Sequence, residues 1–282
     1  MHPVFKTNKI IGALEEEETM KLEVDFSQAF NKLCIQLKQF SPGSAYCNYE
    51  KHLYITGGQE MQKDIGKIFL EISVNNNDYK VKILKMPMML FSHWNHSMIS
   101  SKDYIFSIGG YNSNKCELFN INTLKWEKMI DLNCDERQRS MLVIYKDYLY
   151  CFMGYTQFEI LNTIERINIT NNILINKWET VNISNESNLN LKFYGSGILN
   201  YRDALYFIGG KIGFGEDEED YKNEFHKFSF NNMKFYDINV YFNGTLNFIE
   251  NQLYFFNDST FGNFIDLNDG CLATLELSSL LI

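Results

Sequence analysis

One phrase returns along this chain: a small polar turn, four or five apolar β-formers, then a glycine doublet or a substitute for it. Its copies are His52–Gly58 (HLYITGG), Asp103–Gly110 (DYIFSIGG), Asp147–Gly154 (DYLYCFMG), Asp203–Gly210 (DALYFIGG) and Asn251–Asp258 (NQLYFFND), with a weaker one at Asn8–Ala13 (NKIIGA). The second doublet positions, 58, 110, 154, 210 and 258, lie 44 to 56 residues apart. That period is too long for leucine-rich or ankyrin units of ~20–35 residues, and it matches repeats in which each unit is a whole small sheet. Six units of about 47 residues would account for all 282.

Each period holds more than the signature strand, because a short run precedes the phrase and two more follow it, separated by turn-forming residues. In the second full period His96–Ser100 leads in, Tyr104–Ile108 carries the phrase, Lys115–Ile121 follows and Lys125–Met129 closes the unit. A run such as Leu149-Tyr150-Cys151-Phe152-Met153 is apolar at every position, as a strand covered on both faces requires. A second regularity is an aromatic or apolar pair seven positions apart on the third and fourth strands: Phe119 and Trp126, Phe228 and Phe235, Ile265 and Leu272.

The doublet and this pair together resemble the kelch repeat, across essentially the whole chain. The resemblance implies an all-β fold, a single six-bladed kelch-type β-propeller of four-stranded antiparallel blades, at approximately 1–40, 44–87, 95–133, 139–182, 194–240 and 244–282. Gly57, Gly58, Gly109, Gly110, Gly154, Gly209 and Gly210 are then structural turn glycines, placed where the chain turns with positive φ and a neighbouring blade approaches closely. Met153-Gly154 and Asn257-Asp258 depart from the doublet, and an insertion lengthens the approach to Trp178. Ring closure calls for a strand from Pro3–Lys6 or from Ser278–Ile282.

In function the resemblance implies a non-enzymatic protein-interaction module or scaffold, in a cytoskeletal or organelle setting, that presents variable loops at one face of a rigid ring. A substrate-recognition subunit of a ubiquitin ligase is the first alternative, although no stretch before Asn8 could hold an adaptor domain. A propeller enzyme acting on a small molecule in the central pocket is the second. Against it, the chain has no G-x-S-x-G, H-E-x-x-H, G-x-x-x-x-G-K-[ST] or S-x-D-x-G-x-x-W motif. We therefore expect no catalytic residues and no cofactor.

A formal net charge of −9 repels phosphate backbones and anionic lipid, so nucleic acid is not an expected partner. No run approaches the ~18 apolar residues of a membrane span and no signal-peptide pattern opens the chain, so we expect a cytoplasmic monomer without membrane insertion, binding a protein of unknown identity. The six cysteines stand singly, without a C-x-x-C pair, as buried free thiols would. N-x-S/T triplets such as Asn168–Thr170 and Asn182–Ser184 are what an Asn-rich chain produces by chance.

Several residues could carry recognition. His93, Trp94 and His96 form the one histidine cluster, but a third metal ligand is not evident, so no metal site is expected. The acidic run Glu216–Asp220 and the stretch Glu15–Glu18 read as solvated loops that could touch a basic partner. Arg137 and Arg139 lie in a loop entering a first strand, where kelch repeats commonly place an arginine, either as an interaction hot spot or as a brace for the loop. Trp94, Tyr111 and Tyr155, with Lys211, fall in loops of the same face and complete the candidate partner-binding set, with buried loop anchoring as the competing role for the aromatics.

Overall fold

The computed structural model describes residues 43–50, 52–59, 69–74, 81–183, 191–201, 203–214, 221–241, 245–249, 252–256, 261–266 and 272–276. Among them the chain forms strands and no α-helix, grouped into five four-stranded antiparallel sheets. Sheet I is β1 (Ala45–Tyr49), β2 (His52–Thr56), β3 (Phe69–Val74) and β4 (Val81–Lys85). Sheet II is β5 (Ser97–Ser100), β6 (Tyr104–Ile108), β7 (Cys116–Asn120) and β8 (Lys125–Lys128). Sheet III is β9 (Met141–Tyr145), β10 (Tyr148–Phe152), β11 (Ile164–Asn168) and β12 (Glu179–Thr180). Sheet IV is β13 (Gly197–Tyr201), β14 (Ala204–Lys211), β15 (Tyr221–Ser229) and β16 (Lys234–Tyr241). Sheet V is β17 (Thr245–Ile249), β18 (Gln252–Phe256), β19 (Phe261–Asp266) and β20 (Leu272–Glu276).

Each sheet is a meander whose strands pair in chain order. Tight turns make this possible: Lys146-Asp147 joins β9 to β10 as a two-residue hairpin, with Lys146 at φ 52°. The pairs seven residues apart meet directly across strands, Phe119 opposite Trp126, Phe228 opposite Phe235 and Ile265 opposite Leu272. Sheet III departs at its edge, where β12 has two residues and pairs only with Glu165 and Arg166. The insertion before Trp178 is held by the Asn176 amide, which donates to the carbonyls of Asn168 and Asn171.

Alternation along each strand joins one sheet to the next. On β10, Leu149 and Cys151 pack with Phe106, Ile108, Cys116 and Leu118 of sheet II, whereas Tyr150 and Phe152 pack with Leu205, Phe207, Phe228 and Phe235 of sheet IV. Sheet II does the same: Ile105 and Phe119 meet Cys47 and Tyr54 of sheet I, while Phe106 and Leu118 turn to sheet III. A strand sandwiched in this way has no solvent face, so its sequence has no polar alternation. β5 lies against both β1 and β9, so the first strands of sheets I, II and III are neighbours. Two indoles fasten the outer strands to the loop that leaves the preceding sheet, Trp126 Nε1 donating to the Pro87 carbonyl at 3.0 Å and Trp178 Nε1 to that of Ile130 at 3.0 Å.

The glycine doublets sit where this stacking is tightest. Gly57 and Gly109 have φ of 64° and 69°, and a Cβ on either would lie 2.4 Å from a carbonyl oxygen, of His93 and Arg137 respectively. Met153 takes the same left-handed place in sheet III at φ 49°, followed by Gly154 at 97°. In sheet IV the strand runs on through Gly209 and Gly210 to Lys211, with a register shift between Ile208 and Gly210. The segments Asn8–Ala13, Glu15–Glu18, Glu216–Asp220, Asn257-Asp258, Pro3–Lys6 and Ser278–Ile282 lie outside the described residues.

Candidate interaction face

The four residues before each first strand repeat one construction. They are His93-Trp94-Asn95-His96 before β5, Arg137-Gln138-Arg139-Ser140 before β9 and Phe193-Tyr194-Gly195-Ser196 before β13. The first of the four is buried in all three. In the first two segments its carbonyl accepts from the doublet of the preceding sheet, Gly58 N to His93 O and Gly110 N to Arg137 O, both at 2.9 Å. The second continues the hairpin of its own sheet: Tyr111 N donates to Trp94 O, and Gln138 exchanges backbone bonds with Tyr155 as Tyr194 does with Lys211. The third is left-handed, Asn95 at φ 54°, Arg139 at 45° and Gly195 at 67°, like Gly43 before β1 at 77°. That turn aims its N–H back at the preceding sheet, so Asn95 N reaches Gly43 O and Arg139 N reaches Asn95 O, each at 2.8 Å.

The buried first residue faces the second residue of the third strand of its own sheet or its equivalent. Arg137 is fully enclosed: Nη2 meets Glu165 Oε1 at 2.9 Å and Thr163 Oγ1 at 2.8 Å, while Nη1 donates to the carbonyls of Met153 and Thr163. His93 bridges Gly109 O and Glu117 Oε1 in the same way. In the next repeat Phe193 stacks on His226, ring centroids 5.5 Å apart. Of the two roles expected for Arg137, its surroundings fit the loop brace: it is 1% exposed and its charge is matched inside by Glu165. His96 is likewise inside, its Nε2 at 2.7 Å from Thr56 Oγ1, and burial, with the charge of His93 added, holds its pKa well below the usual histidine range.

The other candidates converge. Trp94 packs on Tyr111 with centroids 4.5 Å apart, and Tyr155 packs on Tyr194 at 4.4 Å and edge-on to Phe214 at 5.6 Å. Asn95 links the two aromatic groups, its Nδ2 donating to Gln138 Oε1 at 3.0 Å and to the Tyr155 hydroxyl at 3.4 Å. Arg139 is exposed, donates through Nε to Asn95 Oδ1 at 3.4 Å, and forms no ion pair among the described residues. Lys211 is half-buried; both cations draw the Tyr155 hydroxyl toward ionisation, against a burial that pushes its pKa up. Glu136 sits beneath, its carboxylate accepting from Asn112 N, Gln157 N and Gln138 Nε2, so it fixes three segments. Tyr111 is 42% and Phe214 54% exposed, while Trp94 and Tyr155 are half-buried supports.

Reading single residues did not reveal Asn95, Glu136, Gln138, Tyr194 and Phe214, which hold the cluster together. Alignment of the lead-in segments would have set Asn95 beside Arg139 and Gly195, and Gln138 beside Trp94 and Tyr194. At the opposite end of sheets II and III a cleft of about 340 Å³ is lined by Tyr104 and residues 169–175 without Asn171. Among the described residues no three of His, Cys, Asp or Glu are grouped to hold a metal, and no helix is long and apolar enough to cross a membrane. No model of a known protein family matches the chain, and no curated protein is similar to it.

Proposed function

We propose that the chain is a kelch-type β-propeller of six blades that acts as a protein-interaction module, not as an enzyme, in a scaffolding role in the cytoplasm. The five stacked meanders support this reading, with β5 between β1 and β9 and a period that leaves room for a sixth unit before Gly43. Two contacts in which one sheet's doublet meets the next sheet's lead-in, Gly58 N to His93 O and Gly110 N to Arg137 O, are of the kind a ring would repeat.

The observation that carries the function is Arg139. It occupies a left-handed position that Gly43, Asn95 and Gly195 fill with residues suited to it, and its guanidinium is exposed near Tyr155 with no ion pair among the described residues. A β-carbon residue held in that region costs ~1–2 kcal/mol, a strain of the kind that persists at functional sites. Tyr111 and Phe214 supply the rigid aromatic area that protein hot spots use, and an acidic side chain of a partner matches Arg139. Quantitative affinity capture with wild type and Arg139→Ala tests this. Selective loss of the same partners from the variant, at unchanged melting temperature, is the expected result; equal recovery of every partner removes this face from consideration. Arg137 stays intact in that experiment, since its loss would disturb the fold.

A further inference from the structure

His93 and Arg137 hold the same place in consecutive repeats, four residues before β5 and β9. Arg137 spans the Met153 carbonyl through Nη1 and Glu165 Oε1 through Nη2, both at 2.9 Å. His93 spans the equivalent two acceptors, the Gly109 carbonyl from Nδ1 at 2.7 Å and Glu117 Oε1 from Nε2 at 2.9 Å. A carbonyl oxygen only accepts, so Nδ1 carries a proton. Glu117 also accepts from Leu90 N at 2.8 Å and Phe91 N at 3.3 Å, contacts that favour the ionised carboxylate, which in turn requires a proton on Nε2. Both side chains are fully enclosed.

We propose that His93 stands in the folded protein as an imidazolium, a removable substitute for arginine, which makes the junction of sheets I and II sensitive to pH where the junction of sheets II and III is not. Arginine keeps its charge throughout the accessible range, whereas an ordinary histidine loses its proton near pH ~6.5. When His93 loses it, a buried carboxylate faces a bare nitrogen and the lead-in segment loosens. That segment carries the carbonyl that receives Gly58 N, and its next residues are Trp94, which lies over Gly43, and Asn95, which binds the Gly43 carbonyl. Protonation of His93 thus reaches the exposed face through three backbone-adjacent contacts.

The described groups around the pair are few. Lys128 stands opposite Glu117 on β8, its ammonium 5.9 Å from the Phe91 ring; Thr56 and Gly57 of sheet I and Gly109 of sheet II bring no charge, and Arg137 is spent on Glu165. His96 lies 5.1 Å from His93 between ring centroids and works in the opposite sense. Its pKa is lowered in the fold, so it binds a proton more readily when unfolded, and the stability it contributes is lost as pH falls below the ordinary histidine value. The His93 bridge works in the other sense, since its contacts to the Gly109 carbonyl and the Glu117 carboxylate both hold only while both ring nitrogens carry protons.

Wild type and His93→Arg both retain His96, so the comparison reads the change at position 93 on a shared background. The melting temperature of the variant relative to wild type is expected to rise by about 3 °C or more between pH 6 and pH 8.5. In ¹⁵N-histidine spectra of the whole chain, assigned through single substitutions at His2, His52, His96 and His226, both His93 nitrogens should appear protonated at pH 6. Glu117→Gln should return one of them to the unprotonated range. A bare His93 nitrogen at pH 6 in the wild type overturns the proposal, as does a variant-to-wild-type gap that stays constant with pH. Should His93→Arg fail to fold, the spectra of wild type and Glu117→Gln decide alone.

Discussion

The junction between sheets II and III and the junction between sheets III and IV perform one task with different chemistry. In the first, Gly109 lies against the carbonyl of Arg137, whose guanidinium is sealed in with Glu165. In the second, Met153 stands where the glycine would be, Phe193 where the arginine would be and His226 where the glutamate would be, and the space is filled by Phe152, Phe207, Phe228 and Phe235. Phe152 touches Phe207 at 5.3 Å and Phe228 at 5.1 Å between centroids, in the offset geometries aromatic rings prefer. A charge pair at this position needs a carbonyl cage and close backbone approach, hence glycine. Stacked rings need neither, so a side chain returns. The repeat conserves a location and a buried volume, and leaves the interaction free to change.

The largest expected effect separates these solutions. Arg137→Met keeps the length and apolar stem of the side chain but leaves Glu165 buried without its cation, beside the Asn133 amide and the Cys134 thiol. Stability should fall by about 3–5 kcal/mol, the usual result of stranding one partner of a buried pair. Phe193→Leu strands no charge across the other junction and should cost about 2 kcal/mol or less, from lost ring contacts and a small cavity. Denaturant titration of both checks this, and equal losses would erase the distinction. Next comes the glycine itself. Gly109→Met installs what the second junction already accepts at Met153, yet its Cβ would lie 2.4 Å from Arg137 O, so a loss of about 2 kcal/mol or more is expected.

Strand extents and the cross-strand pairs were legible in the sequence because both are local. Tyr104–Ile108 is the strand its apolar run indicates, and Phe119 and Trp126 meet because seven residues carry a chain round one turn between paired strands. The buried pairs were not legible, since His93 and Glu117 lie 24 residues apart and Arg137 and Glu165 28. Nothing local distinguishes Arg137, sealed inside, from Arg139, exposed two residues later: a left-handed backbone at Arg139 turns one inward and the other outward. The signal lay in comparison between repeats, where Glu117 and Glu165 each occupy the second place of a third strand.

If the two junctions are variants of one design, the charge pair should be transferable. Phe193→Arg alone buries a cation beside His226 and should be destabilising, while adding His226→Glu should recover stability. A double-mutant cycle is expected to give a favourable coupling of about 1–2 kcal/mol. Coupling indistinguishable from zero would mean that the equivalence is one of sequence position without common geometry.

The smallest effect has the opposite sign. Arg139 holds φ 45°, and Asn95 occupies the same place in the preceding lead-in at 54°. Asparagine tolerates that region better than arginine, since its short amide bonds locally and relieves part of the strain. The single side-chain contact that Arg139 would lose, Nε to Asn95 Oδ1, is long at 3.4 Å and contributes little. Arg139→Asn should therefore raise stability by about 1 kcal/mol, read as an upward shift in melting temperature, even as it removes the exposed cation from the face. A variant less stable than wild type would show that Arg139 braces the fold as Arg137 does. A variant that is more stable and binds less would show that the chain keeps a strained arginine for contact with another molecule.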